Sequence, residues 1–220
     1  MIKDVIILGF SSIGKEIIEI IDEMNKDNKQ PMYRCIGFLD DNNRFLGRSF
    51  KGIEVLGNLG MSKEFVNECF FVNAIASQNN YYFRDKIVNE LKIPEKKFIN
   101  VIHKSAQISK FTRIGKGCIV MQNAVITQEV TIGNHVVISA NCVINHSVII
   151  SDYSILASGV NIAGNTRVGK LSYLGMGSSI IGGIEIGSKV LVGMGSVVVK
   201  NIADRKVFVG NPARCIKELL

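Results

Sequence analysis

From Ile102 to Val198 every sixth residue of this chain is aliphatic, seventeen times without a miss. A second small or β-branched residue recurs four places after each, from Ala106, Thr112 and Cys118 through to Ile202. No helix sustains a strict period of six, whereas a solenoid with three flat faces per coil does. The aliphatic residue and the small residue two before it point to one side of an extended segment, so both can enter a narrow triangular core. Glycine follows the aliphatic residue at Gly115, Gly133, Gly169, Gly175, Gly187 and Gly193. Glycine or asparagine is expected at corners that need unusual backbone angles. Seventeen hexads at three per coil predict between five and six coils. At roughly 4.8 Å per coil the prism is on the order of 27 Å long. The beat ends at Asp204, and the tail 205–220 is expected to finish in a short helix at Cys215–Leu220.

Residues 1–100 follow a different pattern. Val5–Leu8 is a buried-strand run, followed by Gly9-Phe10-Ser11-Ser12-Ile13-Gly14 and an amphipathic helix from Lys15 to about Met24. Strand, glycine-containing loop and helix N-terminus together form the arrangement that receives phosphate. The dinucleotide fingerprint needs glycine where Ser11 stands, and a P-loop needs a hydroxyl where Glu16 stands. A second strand, Arg34–Leu39, ends in Asp40-Asp41, where a Rossmann-type unit meets a ribose or base. A third, Phe70–Ile75, leads through Ala76-Ser77 into a helix carrying Arg84 and Leu91 that Pro94 stops. Alternating strands and helices predict a small parallel sheet, too short for a complete dinucleotide domain. The fold class is therefore α/β followed by β. A Rossmann-like domain spans 1–100, a β-helix 101–204 and a tail 205–220.

The net charge of +7 divides unevenly. Residues 1–100 hold 14 Lys/Arg and 14 Asp/Glu, whereas residues 101–220 hold 12 against 5. The basic half lacks interleaved aromatics, charge runs and any nucleic-acid motif, which points to a small polyanionic ligand instead. Five widely spaced cysteines without metal spacing argue against a disulfide framework and against zinc. Cys118 and Cys142 fall on the small core position of the hexad and read as buried hydrophobes. No apolar run approaches a membrane span and no signal peptide is visible, so a cytoplasmic protein without membrane contact is expected.

The front segment with Phe38-Leu39-Asp40-Asp41, the entry Ile102-His103-Lys104-Ser105-Ala106, the hexads, Asn145-His146 and the closing Gly210-Asn211-Pro212-Ala213-Arg214 together resemble one family. It is that of the nucleotide-sugar acetyltransferases of the bacillosamine type, which includes sialic-acid O-acetyltransferases and perosamine N-acetyltransferases of bacterial glycan pathways. The resemblance implies a left-handed parallel β-helix and a homotrimer with acetyl-CoA, as co-substrate, in the groove between neighbouring prisms. It implies a UDP-linked amino sugar held by the front domain, and no metal. It assigns the general base to His146, with Ser147 standing where the family has a carboxylate. Acetyl-CoA contacts map onto Ile155 (a second histidine in relatives), Gly164, Met176, Gly193, Met194 and Arg214. Substrate contacts map onto Ser11, Ser12, Ile13, Asp40, Asp41, Ala76 and Ser77. Ser147 and Ile155 remove orienting or charge-stabilising partners of the kind a catalytic imidazole normally has.

The chain has three histidines. His103 at the domain junction is expected to pack or cap the first coil, and His135 to sit in a solvent-exposed turn. Transfer to nitrogen needs a base near pKa 7 and N–H donors aimed at the developing oxyanion. The expected activity is N-acetylation of a nucleotide-linked amino sugar by direct transfer, without a covalent acyl-enzyme. A sugar O-acetyltransferase and a non-catalytic β-helix scaffold are the alternatives. A γ-class carbonic anhydrase would need two histidines five residues apart, whereas His135 and His146 are eleven apart.

Overall fold

The structure, a computed structural model, describes residues 2–26 and 31–219. The front unit is built on strands β1 (Lys3–Leu8), β2 (Tyr33–Leu39), β3 (Ser49–Phe50), β4 (Ile53–Gly57) and β5 (Phe70–Asn73), in the sheet order β3-β4-β2-β1-β5. All pairs are parallel except β3–β4. Between them run α1 (Ser12–Lys26) and a single turn, α2 (Ser62–Phe65). Helix α3 (Arg84–Glu90) follows the sheet. The β3–β4 pair was not expected. Its turn, Lys51-Gly52, has positive φ at both residues (51° and 79°), the two-residue geometry that matches strand twist.

From Val101–Ile102 to Val197–Val198, seventeen two-residue strands (β6–β22) recur every six residues. Each of β6–β19 pairs in parallel with the strand eighteen residues on, as Val143 with Asn161 and Ile144 with Ile162. Three sheets result, and they form the left-handed prism. The first face carries residues 101, 119, 137, 155, 173 and 191 at its outward positions. The second carries 107, 125, 143, 161, 179 and 197. The third carries 113, 131, 149, 167 and 185. The hexad aliphatics and the small residues between them fill the interior, among them Val120, Ile126, Cys142, Ile144, Leu156 and Val192.

Strand β23 (Lys206–Gly210) continues the first face beside Leu191-Val192, and β24 (Ala213–Glu218) pairs antiparallel with it. The tail therefore ends in a strand, where a helix was expected. Val207 and Phe208 offer an open ladder edge, and pairing with it satisfies the backbone of 213–218.

The third residue of most four-residue corners has positive φ, at Glu129, His135, Ser147, Tyr153 and Asn165 among others. Glycine after the aliphatic residue has another cause. At Gly133 the φ is ordinary, but a Cβ would collide with Asp152. The Asp152 carboxylate crosses that space to accept the Asn134 N–H at 2.9 Å.

The front domain covers the first face. Phe10, Ile17, Ile18, Ile20 and Ile21 pack against Ile119, Val137, Ile155, Tyr173 and Leu191. His103, expected to pack or cap the first coil, accepts the Ser105 N–H at 3.0 Å and also ties the two units together. Its Nε2 lies 2.7 Å from Glu23 of α1, and its Nδ1 lies 2.7 Å from the Ser105 hydroxyl.

Candidate functional site

The corner between the second and third faces carries His146. Ile144 anchors it in the core, and the Asn145 side chain donates to the Ile162 carbonyl at 2.9 Å. His146 is exposed and its carbonyl accepts the Asn165 N–H at 3.0 Å, which fixes the backbone beneath the ring. The imidazole lies across the next coil at Gly164. A Cβ there would stand 2.5 Å from Cε1 and 2.6 Å from Nε2. Gly182 follows Gly164 on the same column, and the exposed Gly183 has nothing within 4 Å of its own Cβ position. The ring thus lies over bare backbone at Gly164, which Gly182 and Gly183 continue one coil on.

Ser147 has φ +61°, and its hydroxyl donates to Glu129 Oε2 at 3.2 Å, one coil back. A carboxylate is therefore present at this corner, held by Ser147. The sequence reading missed it because Glu129 is eighteen residues away. The coil repeat is the signal that finds it.

The donor residues expected from sequence separate. Gly164 meets His146. Met176, Gly193 and Met194 occupy the corner between the first and second faces, where Met176 is 57% and Met194 78% exposed. Arg214 is exposed on β24. Ile155 is a correction. It points outward on the first face, and there outward means beneath the front domain, where it is buried in the interdomain cluster.

The expected substrate residues gather at the carboxyl ends of β1, β2 and β5. Ser11 caps α1 by accepting the Gly14 N–H at 3.1 Å, and it donates to the Ala74 carbonyl at 3.1 Å. Asp40 accepts the N–H groups of Phe10 and Asn42, both at 2.8 Å, so it locks the first loop to the second. Asp41 accepts from Leu59 at 2.9 Å. Ser12 opens α1 and is exposed, with Ile13 half-buried after it. Lys15 places its ammonium 4.4 Å from the Phe10 ring centre. Ala76 and Ser77 lie on the loop after β5, where the Ser77 N–H donates to Asn80 at 2.9 Å.

Arg84 was not singled out from sequence. It is completely buried, and its guanidinium donates to the Ile75 carbonyl and, at 2.7 Å, to that of Tyr153. It pins the Ala76–Ser77 loop to the prism, and burial lowers its pKa to about 10.

His135 is the second correction. It is fully buried at the corner between the third and first faces, stacked 4.7 Å from Tyr153 and edge-on to Phe98. Glu95 Oε1 is 3.4 Å from Nε2 but out of line, and neither ring nitrogen makes a hydrogen bond. Burial, then the nearby Arg84, pushes its pKa down to about 4, against the opposing pull of Asp152. His135 and His146 stand on different corners, one sealed and one open, which is not a shared metal site. Among the described residues no cluster of three His, Cys, Asp or Glu could hold a metal, and no helix is long and apolar enough to cross a membrane.

The chain is similar to known proteins in both halves. Residues 4–91 match the PglD N-terminal domain, and residues 129–163 and 165–200 match the hexapeptide repeat of succinyl-transferase. A perosamine N-acetyltransferase variant from Caulobacter crescentus, solved with CoA and GDP-perosamine, is 25% identical. The match covers 99% of each chain with a TM-score of 0.84. The acetyltransferase domain of PglB from Neisseria gonorrhoeae, solved with acetyl coenzyme A, is 24% identical over 98% of this chain and 100% of its own (TM-score 0.83). WeeI from Acinetobacter baumannii is 25% identical over 97% and 100% (TM-score 0.81). No curated protein matches the chain in sequence.

Proposed function

We propose that this chain, which carries a PglD-type N-terminal domain and hexapeptide repeats, acetylates the amino group of a nucleotide-linked amino sugar, with acetyl-CoA as donor and UDP as the nucleotide. The observation that carries this reading is the open imidazole of His146 laid across the bare backbone of Gly164. A thioester can pass over such a floor, since no side chain rises from it.

In this reading the sugar amine attacks the thioester carbonyl. His146 takes the amine proton, the C–N bond forms, the C–S bond breaks, and the proton passes to the departing thiolate. Backbone N–H groups of the glycine corner supply donors for the oxyanion. Five free cysteines leave no candidate for an acyl-enzyme near His146, since Cys118 and Cys142 are sealed in the core and Cys215 is on β24.

The assembly we propose is a homotrimer. In one chain the front domain covers the first face, while the His146 corner is the edge opposite that face. The nucleotide loops therefore cannot meet the imidazole of their own chain across the prism. A neighbouring copy brings the two together. Phe111, Ile181 and Val199 line the His146 edge at 63%, 49% and 46% exposure, apolar surface that association would bury.

Replacing His146 by alanine is expected to lower kcat at least ~100-fold, the scale for losing a general base, with acetyl-CoA still bound. Full activity in His146→Ala would refute the assignment. A stable monomer that turns over acetyl-CoA in sedimentation would refute the trimer.

A further inference from the structure

A cavity lies away from His146, where the front domain, the last coils and the final strand converge. Its volume is about 550 Å³, and it is lined by Tyr82, Lys189, Arg205, Lys217, Glu218 and Leu219. Lys189 and Arg205 occupy successive corners between the third and first faces, and the Arg205 carbonyl accepts the Leu219 N–H at 2.7 Å. Tyr81, buried beside Tyr82, reaches the Lys189 carbonyl with its hydroxyl at 3.4 Å, which holds the front wall against the prism.

The charge around this cavity is unbalanced. Lys189, Arg205 and Lys217 form no ion pair among the described residues. Among the described residues of the lining the one carboxylate, Glu218, is taken by Lys206 at 2.7 Å. Like charges converging on one concavity, without a partner, raise the local concentration of an anion. A guanidinium adds a planar fork suited to phosphate oxygens. Tyr82 supplies an aromatic wall, and the loop bearing it begins at Ala76 and Ser77.

We propose that this cavity binds a phosphate-bearing small molecule. The proposal rests on the acyltransferase reading, which supplies two sources of that chemistry, the diphosphate of the nucleotide sugar and the phosphates of CoA. Lys189, Arg205 and Lys217 contact the phosphates, and Tyr82 packs against the attached organic group.

The test is calorimetric titration of the full chain with UDP, CoA and inorganic pyrophosphate, each at low and high salt. Variants are Lys189→Asn, Arg205→Asn and Lys217→Gln, singly and together. Asparagine suits positions 189 and 205, because both have φ of +58° and asparagine tolerates the left-handed region. The combined variant is expected to weaken one of the phosphate ligands by about tenfold, with an effect that shrinks at high salt. Lys217→Arg should retain wild-type affinity, which a merely structural role for lysine would not predict. A loss confined to UDP assigns the nucleotide sugar, and one confined to CoA assigns the donor. Affinities for all three that do not change in the combined variant overturn the proposal. If the wild type binds neither UDP nor CoA, the acyltransferase reading itself fails, a separate outcome.

Discussion

Gly164→Ala isolates the geometry of the base from the stability of the fold. The backbone at Gly164 is not left-handed, so alanine fits its conformation. Its Cβ would stand 2.5 Å from Cε1 and 2.6 Å from Nε2 of His146, whereas ordinary contact begins at 3.4 Å. The imidazole must therefore retreat by about 1 Å, a misplacement on the order of 100-fold in rate. That corresponds to about 2.7 kcal/mol in the barrier. The ring is exposed and free to swing outward, so folding loses little. The restricted unfolded chain contributes about 0.4–1 kcal/mol in the opposite direction. The assay is thiol release from acetyl-CoA with both substrates saturating, paired with a thermal melt. We expect kcat to fall about 100-fold at unchanged or slightly raised Tm. In a His146→Ala background the same substitution should cost little more, because the two residues act as one unit. Near-wild-type kcat in Gly164→Ala, or an equal loss in both backgrounds, would refute the reasoning.

Buried His135, with its pKa lowered to about 4, must stay neutral in the fold while the unfolded chain protonates it near pH 6.5. Its contribution is intact above pH 6.5 and is lost as pH falls toward 4, by up to roughly 3 kcal/mol. His135→Asn keeps a residue that accepts the φ of +55° and should narrow the Tm difference between pH 7.5 and pH 5, whatever it does to Tm itself. An unchanged difference would refute this. Ser147→Glu puts a carboxylate beside the imidazole and should move the acidic limb of kcat/KM to higher pH. A limb that does not move would show that position 147 does not touch the base. Cys215 is the one exposed thiol, whereas burial pushes Cys118 up to about 12 and Cys142 up to about 11. One thiol per native chain should react rapidly with a disulfide reagent without loss of activity, and loss on its modification would put Cys215 in the site.

The hexad made the prism legible because each inward residue is identified by its place in a fixed repeat. It says nothing of what lies outside the faces. Ile155 and His135 were misread for this reason. Both project away from the prism interior, and only the docking of Phe98, Ile17 and Ile21 turns that exterior into a second interior. The Lys51-Gly52 turn carried a local signal that was passed over. The final strand carried none, since Cys215–Glu218 becomes extended by pairing with β23. At the site, His146 and Gly164 came from resemblance, and their stacking is visible only once the eighteen-residue coil is counted. Glu129 could likewise be found by counting one coil from Ser147, whereas Arg84 depends on a contact between domains that no local pattern encodes.

The most direct test of the central claim is acyl transfer itself. Acetyl-CoA is mixed with nucleotide-linked amino sugars and with matching sugars that carry only hydroxyl groups, thiol release is followed, and the product is weighed by mass spectrometry. The account predicts thiol release only with an amino sugar, a product heavier by one acetyl group bound as an amide, and loss of both in His146→Ala. Release that needs no amino sugar, or an ester product formed equally well without His146, would contradict it.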